Sequence, residues 1–220
     1  MMHVEELGIS KVSPALALFA TLGISIVALS VVGTTKTNTR GLLLVVNKRD
    51  QTLSIVDPES GRQLAAVPVG GVTGHEVAAS PDGRIAFVPI YGNSGVGQPG
   101  TDGRTISLID LTSRSQIAHI DLGVPSRPHC AVFGPKDGRL YVTTELTDSI
   151  KVIDPNTRTV VDSIPTGAPE SHMLALSSNG ERAYTSNVDA GTVSAIDLKS
   201  KRVLAVIPVA KTGATYSDLD

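Results

Sequence analysis

Four stretches of the chain repeat one short pattern, a β-type run that ends in aspartate. They read TLSIVD (52–57), TISLID (105–110), SIKVID (149–154) and TVSAID (192–197), and their aspartates lie 53, 44 and 43 residues apart. A fixed period of roughly 20 to 50 residues is typical of folds built by stacking copies of one unit. The sequence therefore predicts a repeat protein.

Two further markers keep the same phase as these runs. A second apolar run follows each polar turn, and a Gly-containing turn, PDGR (81–84), PKDGR (135–139) or SNGER (178–182), precedes a strand with Phe87, Tyr141 or Tyr184. Each unit thus contains several runs of about 5 to 8 residues, rich in Val, Ile, Leu and Thr and separated by turn residues, which predicts antiparallel strands. The aspartate that ends each repeated run is expected to accept hydrogen bonds from backbone N–H groups of the next turn.

A sheet of four such strands cannot bury both of its faces alone, so neighbouring sheets must stack, and radial stacking gives a β-propeller. Residues 42–70 supply three strands, and complete units run from about 75 to 123, 129 to 167 and 172 to 210. We therefore predict an all-β fold with about four blades of four antiparallel strands over residues 41–210, followed by a truncated tail, 211–220. An incomplete propeller of the seven-bladed type is favoured over a closed four-bladed ring, because the tail is short for closure.

The run SIKVIDPNTRTVVDSIPTG (149–167), followed by a PDGR-like turn and RAYTSN (182–187), resembles the YVTN-type (YncE-like) β-propeller repeats of bacterial exported and archaeal surface-layer proteins. The resemblance covers residues 41–210. It implies a WD40-like propeller, typically of seven blades, and an exported protein. Propeller lactonases are similar only in fold and in the rhythm of their PH and PDGR motifs.

The N-terminal region contains eighteen uncharged residues, ALALFATLGISIVALSVV (15–32). That length is close to the roughly 20 residues that span a bilayer as a helix, and it exceeds the usual core of a cleaved signal. We predict one hydrophobic helix, with residues 1–33 acting as a signal peptide or a membrane anchor and 34–40 as a linker. Both alternatives imply a periplasmic, secreted or cell-surface location.

Composition excludes several classes of function. The net charge is −2, which does not favour nucleic acid as a partner, and the single cysteine cannot form an internal disulfide or a four-Cys zinc module.

Three of the five histidines, His75, His129 and His172, occupy one phase of the repeat. In a propeller this phase lies where the innermost strand begins, so the three imidazoles are expected to line one mouth of the central channel. They could cap the inner strands against the backbone of neighbouring blades, bind a ligand, or hold a metal, since imidazole suits zinc, copper or iron. The first alternative is favoured and the third is least favoured.

Two further residues complete the candidate ligand-binding set. Glu145 is one of the carboxylates expected near the mouth, and a histidine beside a carboxylate is an arrangement used in acid–base hydrolysis. Arg104 ends an insertion, residues 92–104, which is expected to form a loop over one face and to carry binding residues.

These observations predict an exported, non-catalytic scaffold that binds a small molecule or a protein partner at the channel mouth. No catalytic residue, metal or cofactor is predicted. A lactonase-like hydrolase that uses the histidines and a glutamate, and a structural or adhesion protein of the cell surface, are the alternatives. Open blade edges also suggest self-association.

Overall fold

The computed structural model describes residues 41–93, 95 and 98–209, and nearly all regular structure in them is β-strand. The strands form four antiparallel sheets, each a simple meander. The first sheet contains β1 (Leu43–Asn47), β2 (Thr52–Asp57) and β3 (Arg62–Pro68); the second contains β4 (Ala78–Ala79), β5 (Ile85–Gly92), β6 (Asp102–Asp110) and β7 (Ser115–Asp121). The third contains β8 (Pro128–Phe133), β9 (Leu140–Thr144), β10 (Ser149–Asp154) and β11 (Thr159–Pro165); the fourth contains β12 (Ser171–Leu176), β13 (Arg182–Asn187), β14 (Thr192–Asp197) and β15 (Arg202–Pro208).

The predicted blades are confirmed: the chain has the all-β architecture of a β-propeller, with three complete four-stranded sheets and a three-stranded first sheet in the described residues. The repeated aspartates have the predicted structural role. Asp57 Oδ1 accepts from the backbone N–H of Glu59 at 3.0 Å, and Asp154 Oδ1 accepts from that of Asn156 at 2.8 Å. These carboxylates fix the turns that lead into the outermost strands.

Stacking of consecutive sheets buries the core in three separate layers. The first layer joins sheets one and two through residues such as Leu53 and Val88, the second joins sheets two and three, and the third joins sheets three and four through residues such as Ile150 and Ala183. No comparable hydrophobic cluster joins the first and fourth sheets within the described part of the chain. The sheets therefore form an open series in this structure, not a closed four-bladed ring.

The innermost strand of the second sheet is shorter than its equivalents. β4 contains only two residues, and His75 lies before it, next to an isolated bridge between Gly74 and Ile90. Pro89 explains the interruption, because its carbonyl accepts from the backbone N–H of His75 at 3.4 Å but its own nitrogen has no hydrogen to donate to the inner strand.

The predicted N-terminal helix and anchor (1–33), the linker (34–40) and the tail (211–220) lie outside the described residues. Among the residues that are described, no helix is long and apolar enough to span a membrane.

Candidate functional site

The three repeat-related histidines meet in one cluster. The ring centroids of His129 and His172 are 3.6 Å apart, those of His75 and His129 are 4.4 Å apart, and those of His75 and His172 are 6.3 Å apart. His129 Nε2 lies 2.8 Å from His75 Nδ1, so one of the two nitrogens donates a hydrogen bond to the other. Stacked blades place equivalent residues beside one another, and the convergence expected from the shared phase is confirmed.

A buried threonine holds two of these histidines in register. Thr143 Oγ1 accepts from the backbone N–H of Cys130 at 3.0 Å and donates to the backbone carbonyl of His172 at 2.5 Å. Thr143 thereby links β8 with β12 across the interface between the third and fourth sheets. The link holds the backbones that carry His129 and His172 beside each other.

His129 is an uncharged imidazole at the centre of the cluster. Burial, with smaller contributions from His172 and His75, lowers the pKa of His129 to about 2. Its side chain is 2% exposed, and its Nδ1 has no hydrogen-bond partner among the described residues. Because buried polar atoms are nearly always paired with protein, water or ligand, this nitrogen is a candidate hydrogen-bonding partner for a bound water or ligand.

Glu145 connects the histidines to a second set of buried polar groups. It begins the 3-10 turn Glu145–Thr147, it is 1% exposed, and its Oε1 lies 3.5 Å from His172 Nδ1, at the outer limit of a hydrogen bond. Its Oε2 accepts from the hydroxyl of Tyr91 and lies 3.3 Å from Arg127 Nη1. Burial alone would raise the pKa of Glu145, but the bonds from His172, Tyr91 and Arg127 outweigh it and lower the pKa below its ordinary value.

Arg127 is the most highly connected side chain of the site. Its Nε donates to Asp102 Oδ1 at 2.6 Å, its Nη2 donates to the backbone carbonyl of Gln98 at 2.7 Å, and its Nη1 pairs with Glu145. The guanidinium also lies 5.8 Å from the centre of the Tyr91 ring. Arg127 therefore connects the insertion after β5 to the rim of the third sheet. Its positive charge is balanced by the carboxylates of Asp102 and Glu145.

Arg127 is not among the site residues predicted from the sequence, although the repeat contains a signal for it. Residue Arg127 lies two positions before His129, just as Thr73 precedes His75 and Glu170 precedes His172. All three preceding residues have positive φ, of 48°, 56° and 55°. Non-glycine residues adopt this conformation at a cost of roughly 1 to 3 kcal/mol, so its recurrence marks a position that the rim requires.

A second repeated rim position lies at the end of the second strand of each four-stranded unit, within β5 and directly after β9 and β13. Tyr91, Glu145 and Val188 donate their backbone N–H groups to the carbonyls of Thr73, Arg127 and Glu170, at 3.0, 3.2 and 3.0 Å. Strand register assigns Lys48 to the same position of the first sheet, since Asn47 pairs with Thr52 as Thr144 pairs with Ser149. Sheet packing leaves the side chains at these positions free to differ chemically.

The structure brings four of the five predicted ligand-binding residues together, namely His75, His129, His172 and Glu145. Arg104 does not join them: its Nη2 pairs with Asp121 Oδ2 at 3.1 Å, and both side chains are half exposed. The reason is that Arg104 belongs to β6 and its side chain reaches the neighbouring outer strand β7. His129 and His172 lie on the inner strands β8 and β12, and His75 lies just before the inner strand β4. The polar network beside the histidine cluster contains Tyr91, Asp102 and Arg127 instead.

Carboxylates dominate the charge around the histidines. Burial raises the pKa of Glu76, against the lowering effects of His172 and Lys48. Burial also raises the pKa of Glu170, and nearby Glu145 and Asp189 raise it further. With the Arg127 charge balanced by Asp102 and Glu145, and Lys48 as a further cation, carboxylates outnumber cations at the rim beside the uncharged His129 imidazole. No group of three or more His, Cys, Asp or Glu side chains suited to hold a metal ion occurs among the residues described.

Comparison with solved structures shows the fold. The chain is similar to a structure titled "Kuenenia stuttgartiensis Hydrazine Synthase", with a TM-score of 0.63 and 22% sequence identity over 76% of this chain. This chain spans 46% of the length of that one. In all, 1299 chains of solved structures match, so the architecture alone does not select one function. No family model matches the sequence, and no curated protein matches it.

Proposed function

We propose that this chain is an exported, YVTN-like propeller that acts as a non-catalytic scaffold and binds a small polar ligand at the rim formed by His75, His129 and His172. The observation that carries the proposal is the convergence of three repeat-related imidazoles, with a buried His129 Nδ1 that has no hydrogen-bond partner among the described residues. Such a nitrogen forms a hydrogen bond with a bound molecule without loss of any existing contact.

The charge of the rim indicates the ligand class. Glu76, Glu145 and Glu170 lie near His172, and Asp102 and Glu145 bind Arg127. Lys48 contributes one further positive charge, so carboxylates outnumber cations around the histidine cluster. A polyanion would be repelled at this surface, whereas a neutral or cationic molecule with hydrogen-bonding groups is compatible with it. The proposed ligand is therefore a neutral or cationic polar molecule.

Calorimetric titration of the full chain tests the proposal with three probes of different charge: spermidine, glucose and citrate. We expect saturable binding of spermidine or glucose, weaker or no binding of citrate, and loss of binding in His129→Asn. His119→Asn, which replaces an exposed histidine of β7, is the matched control and should bind as the wild type does. The proposal fails if neither spermidine nor glucose saturates, or if both histidine variants lose binding equally.

One contact favours a second candidate, a lactonase-like hydrolase. Glu145 Oε1 and His172 Nδ1 are 3.5 Å apart in a buried setting, and a carboxylate that orients a histidine is a common element of acid–base catalysis. Gluconolactone hydrolysis, followed at constant pH by titration of released acid, separates the two candidates. An enzyme would lose turnover in Glu145→Gln, whereas the scaffold shows no turnover above the uncatalysed rate in either protein.

A further inference from the structure

The two end sheets expose faces that are buried in every other sheet. We call the face that packs on the following sheet the leading face and the face that packs on the preceding sheet the trailing face. Leu53, Ile106 and Ile150, the leading-face residues of sheets one to three at one register position, are all 0% exposed. The leading face of the fourth sheet and the trailing face of the first have no such cover in the described part of the chain.

The fourth sheet repeats the leading-face pattern without a partner. Strand register aligns Ile207 of β15 with Val67, Ile120 and Ile164 of the other outer strands. The three internal residues are 4%, 1% and 2% exposed, whereas Ile207 is 46% exposed. Tyr184, aligned with the buried Phe87 and Tyr141, is 41% exposed on the same face. The fourth sheet therefore has a complete apolar surface of the kind that the next blade covers.

The first sheet has the complementary surface. Its Val45 aligns with Val88 and Val142, which are trailing-face residues of the second and third sheets and are 0% exposed, but Val45 itself is 40% exposed. Leu43, on the same face, is 51% exposed, although the aligned Leu140 is 0% exposed. One chain thus carries both halves of a fourth sheet-to-sheet interface, and the two halves do not meet within the chain.

We infer that these faces bind a second copy of the chain, the leading face of the fourth sheet packing on the trailing face of the first sheet of the partner copy. Contacts between two different faces close a ring when the rotation per unit permits it. The described parts of two copies supply eight sheets, within the roughly four to eight blades that propellers contain, and those of three copies exceed that number. A ring of two chains buries all four end faces by the same packing that already holds the internal sheets together.

This arrangement differs from the edge pairing expected from the sequence. Edge pairing would join backbone groups of outermost strands, whereas the exposed apolar side chains project from the sheet faces. The interface is also directional, because a leading face meets a trailing face. Direction makes the inference testable with one substitution on each face.

The test measures the mass of the full chain by sedimentation in a mild non-ionic detergent. We expect two chains per particle for the wild type, and dissociation for Ile207→Asp and for Val45→Asp, with affinity reduced by at least about 100-fold because an unpaired carboxylate is buried at both junctions of the ring. Ile117→Asp is the matched control. Ile117 is 42% exposed on β7, away from both end faces, and its variant should remain a dimer.

Mixing the two dissociated variants in equal amounts provides the decisive measurement. The Ile207→Asp chain retains an intact trailing face and the Val45→Asp chain retains an intact leading face, so one unmodified junction can form and restore a particle of two chains. That recovery also shows that both variants are folded. A monomeric wild type, a series of ever larger particles, dissociation by only one of the two substitutions, or a mixture that stays monomeric would each overturn the inference.

Discussion

Acid should weaken the fold through His129, and the size of the effect follows from its burial. The unfolded chain carries a histidine with a pKa near 6.5, whereas burial in the folded rim lowers the pKa of His129 to about 2. Between these values the unfolded state binds a proton that the folded state does not. The contribution of His129 to stability is therefore essentially complete well above pH 6.5 and is lost progressively as the pH falls toward 2.

At pH 4.5 the cost can be stated without knowing the folded pKa closely. A pH two units below the pKa of the unfolded-state histidine corresponds to a loss of about 2.7 kcal/mol in unfolding free energy. Any folded-state pKa of His129 below roughly 3.5 gives nearly the same loss. A small part of this cost is already present at pH 7. The change between pH 7 and pH 4.5 should be about 2.5 kcal/mol of unfolding free energy.

Urea unfolding of the wild type and His129→Asn at the two pH values isolates this contribution, because acid effects of Glu76, Glu145 and Glu170 occur in both proteins. We expect the wild type to lose about 2.5 kcal/mol more than the variant between pH 7 and pH 4.5. His119→Asn controls for removal of a histidine and should retain the acid sensitivity of the wild type. A difference below about 1 kcal/mol would show that the imidazole of His129 is solvated and protonates freely, which refutes the buried cluster.

Three further substitutions test the polar network and its loop. Arg127→Met should cost about 3 to 5 kcal/mol of unfolding free energy in urea, because it leaves carboxylates without their cation in a buried site. Tyr91→Phe should cost about 1 to 3 kcal/mol and should raise the pKa of Glu145, measured by carboxyl NMR, because the hydroxyl that stabilises the carboxylate is removed. Gly103→Ala should cost at least about 2 kcal/mol in the same urea assay, because its Cβ would lie 1.8 Å from the backbone carbonyl oxygen of Ile90.

For each of these three substitutions, a control variant or an opposite outcome would contradict the expected effect. Asp102→Asn leaves a neutral acceptor for Arg127 in a partly exposed position and should cost less than Arg127→Met; the reverse order would contradict the network. Gly41→Ala meets nothing within 4 Å and should be nearly neutral, so an equal loss at Gly41 and Gly103 would show that the clash is not the cause. An unchanged pKa of Glu145 in Tyr91→Phe would place the hydroxyl elsewhere.

The repeat made the blades predictable because it fixes strand length, turn chemistry and phase together. Asp57 and Asp154 end their strands for a local reason, namely the bonds that they accept from the following turn, and local reasons can be read from a sequence. The short β4 was not predicted, since it depends on Pro89 in a neighbouring strand. The sheet faces that remain exposed were not predicted either, because their exposure depends on how all the sheets stack.

The site was only partly predictable for a related reason. The histidines share both residue type and phase, so their convergence follows from stacking equivalent positions. Arg127 shares its phase with Thr73 and Glu170 but not its chemistry, and a search for repeated residue types misses it. Arg104 illustrates the opposite error: it lies in the insertion-bearing sheet, but the direction of its side chain toward Asp121 is set by strand pairing.

The contrast between uniform and varied positions supports the proposed binding site at the rim. Core positions keep one kind of side chain from sheet to sheet, as Leu53, Ile106 and Ile150 do, because packing demands similar volume and no charge. At the rim the backbone geometry is equally regular, yet one position holds Lys48, Tyr91, Glu145 and Val188 in the four successive sheets. Folding accounts for the regular backbone, including its strained residues, but does not account for a lysine, a phenol and a buried carboxylate at equivalent places. Those differences give each side of the histidine cluster its own chemistry, which is what recognition of an asymmetric ligand requires.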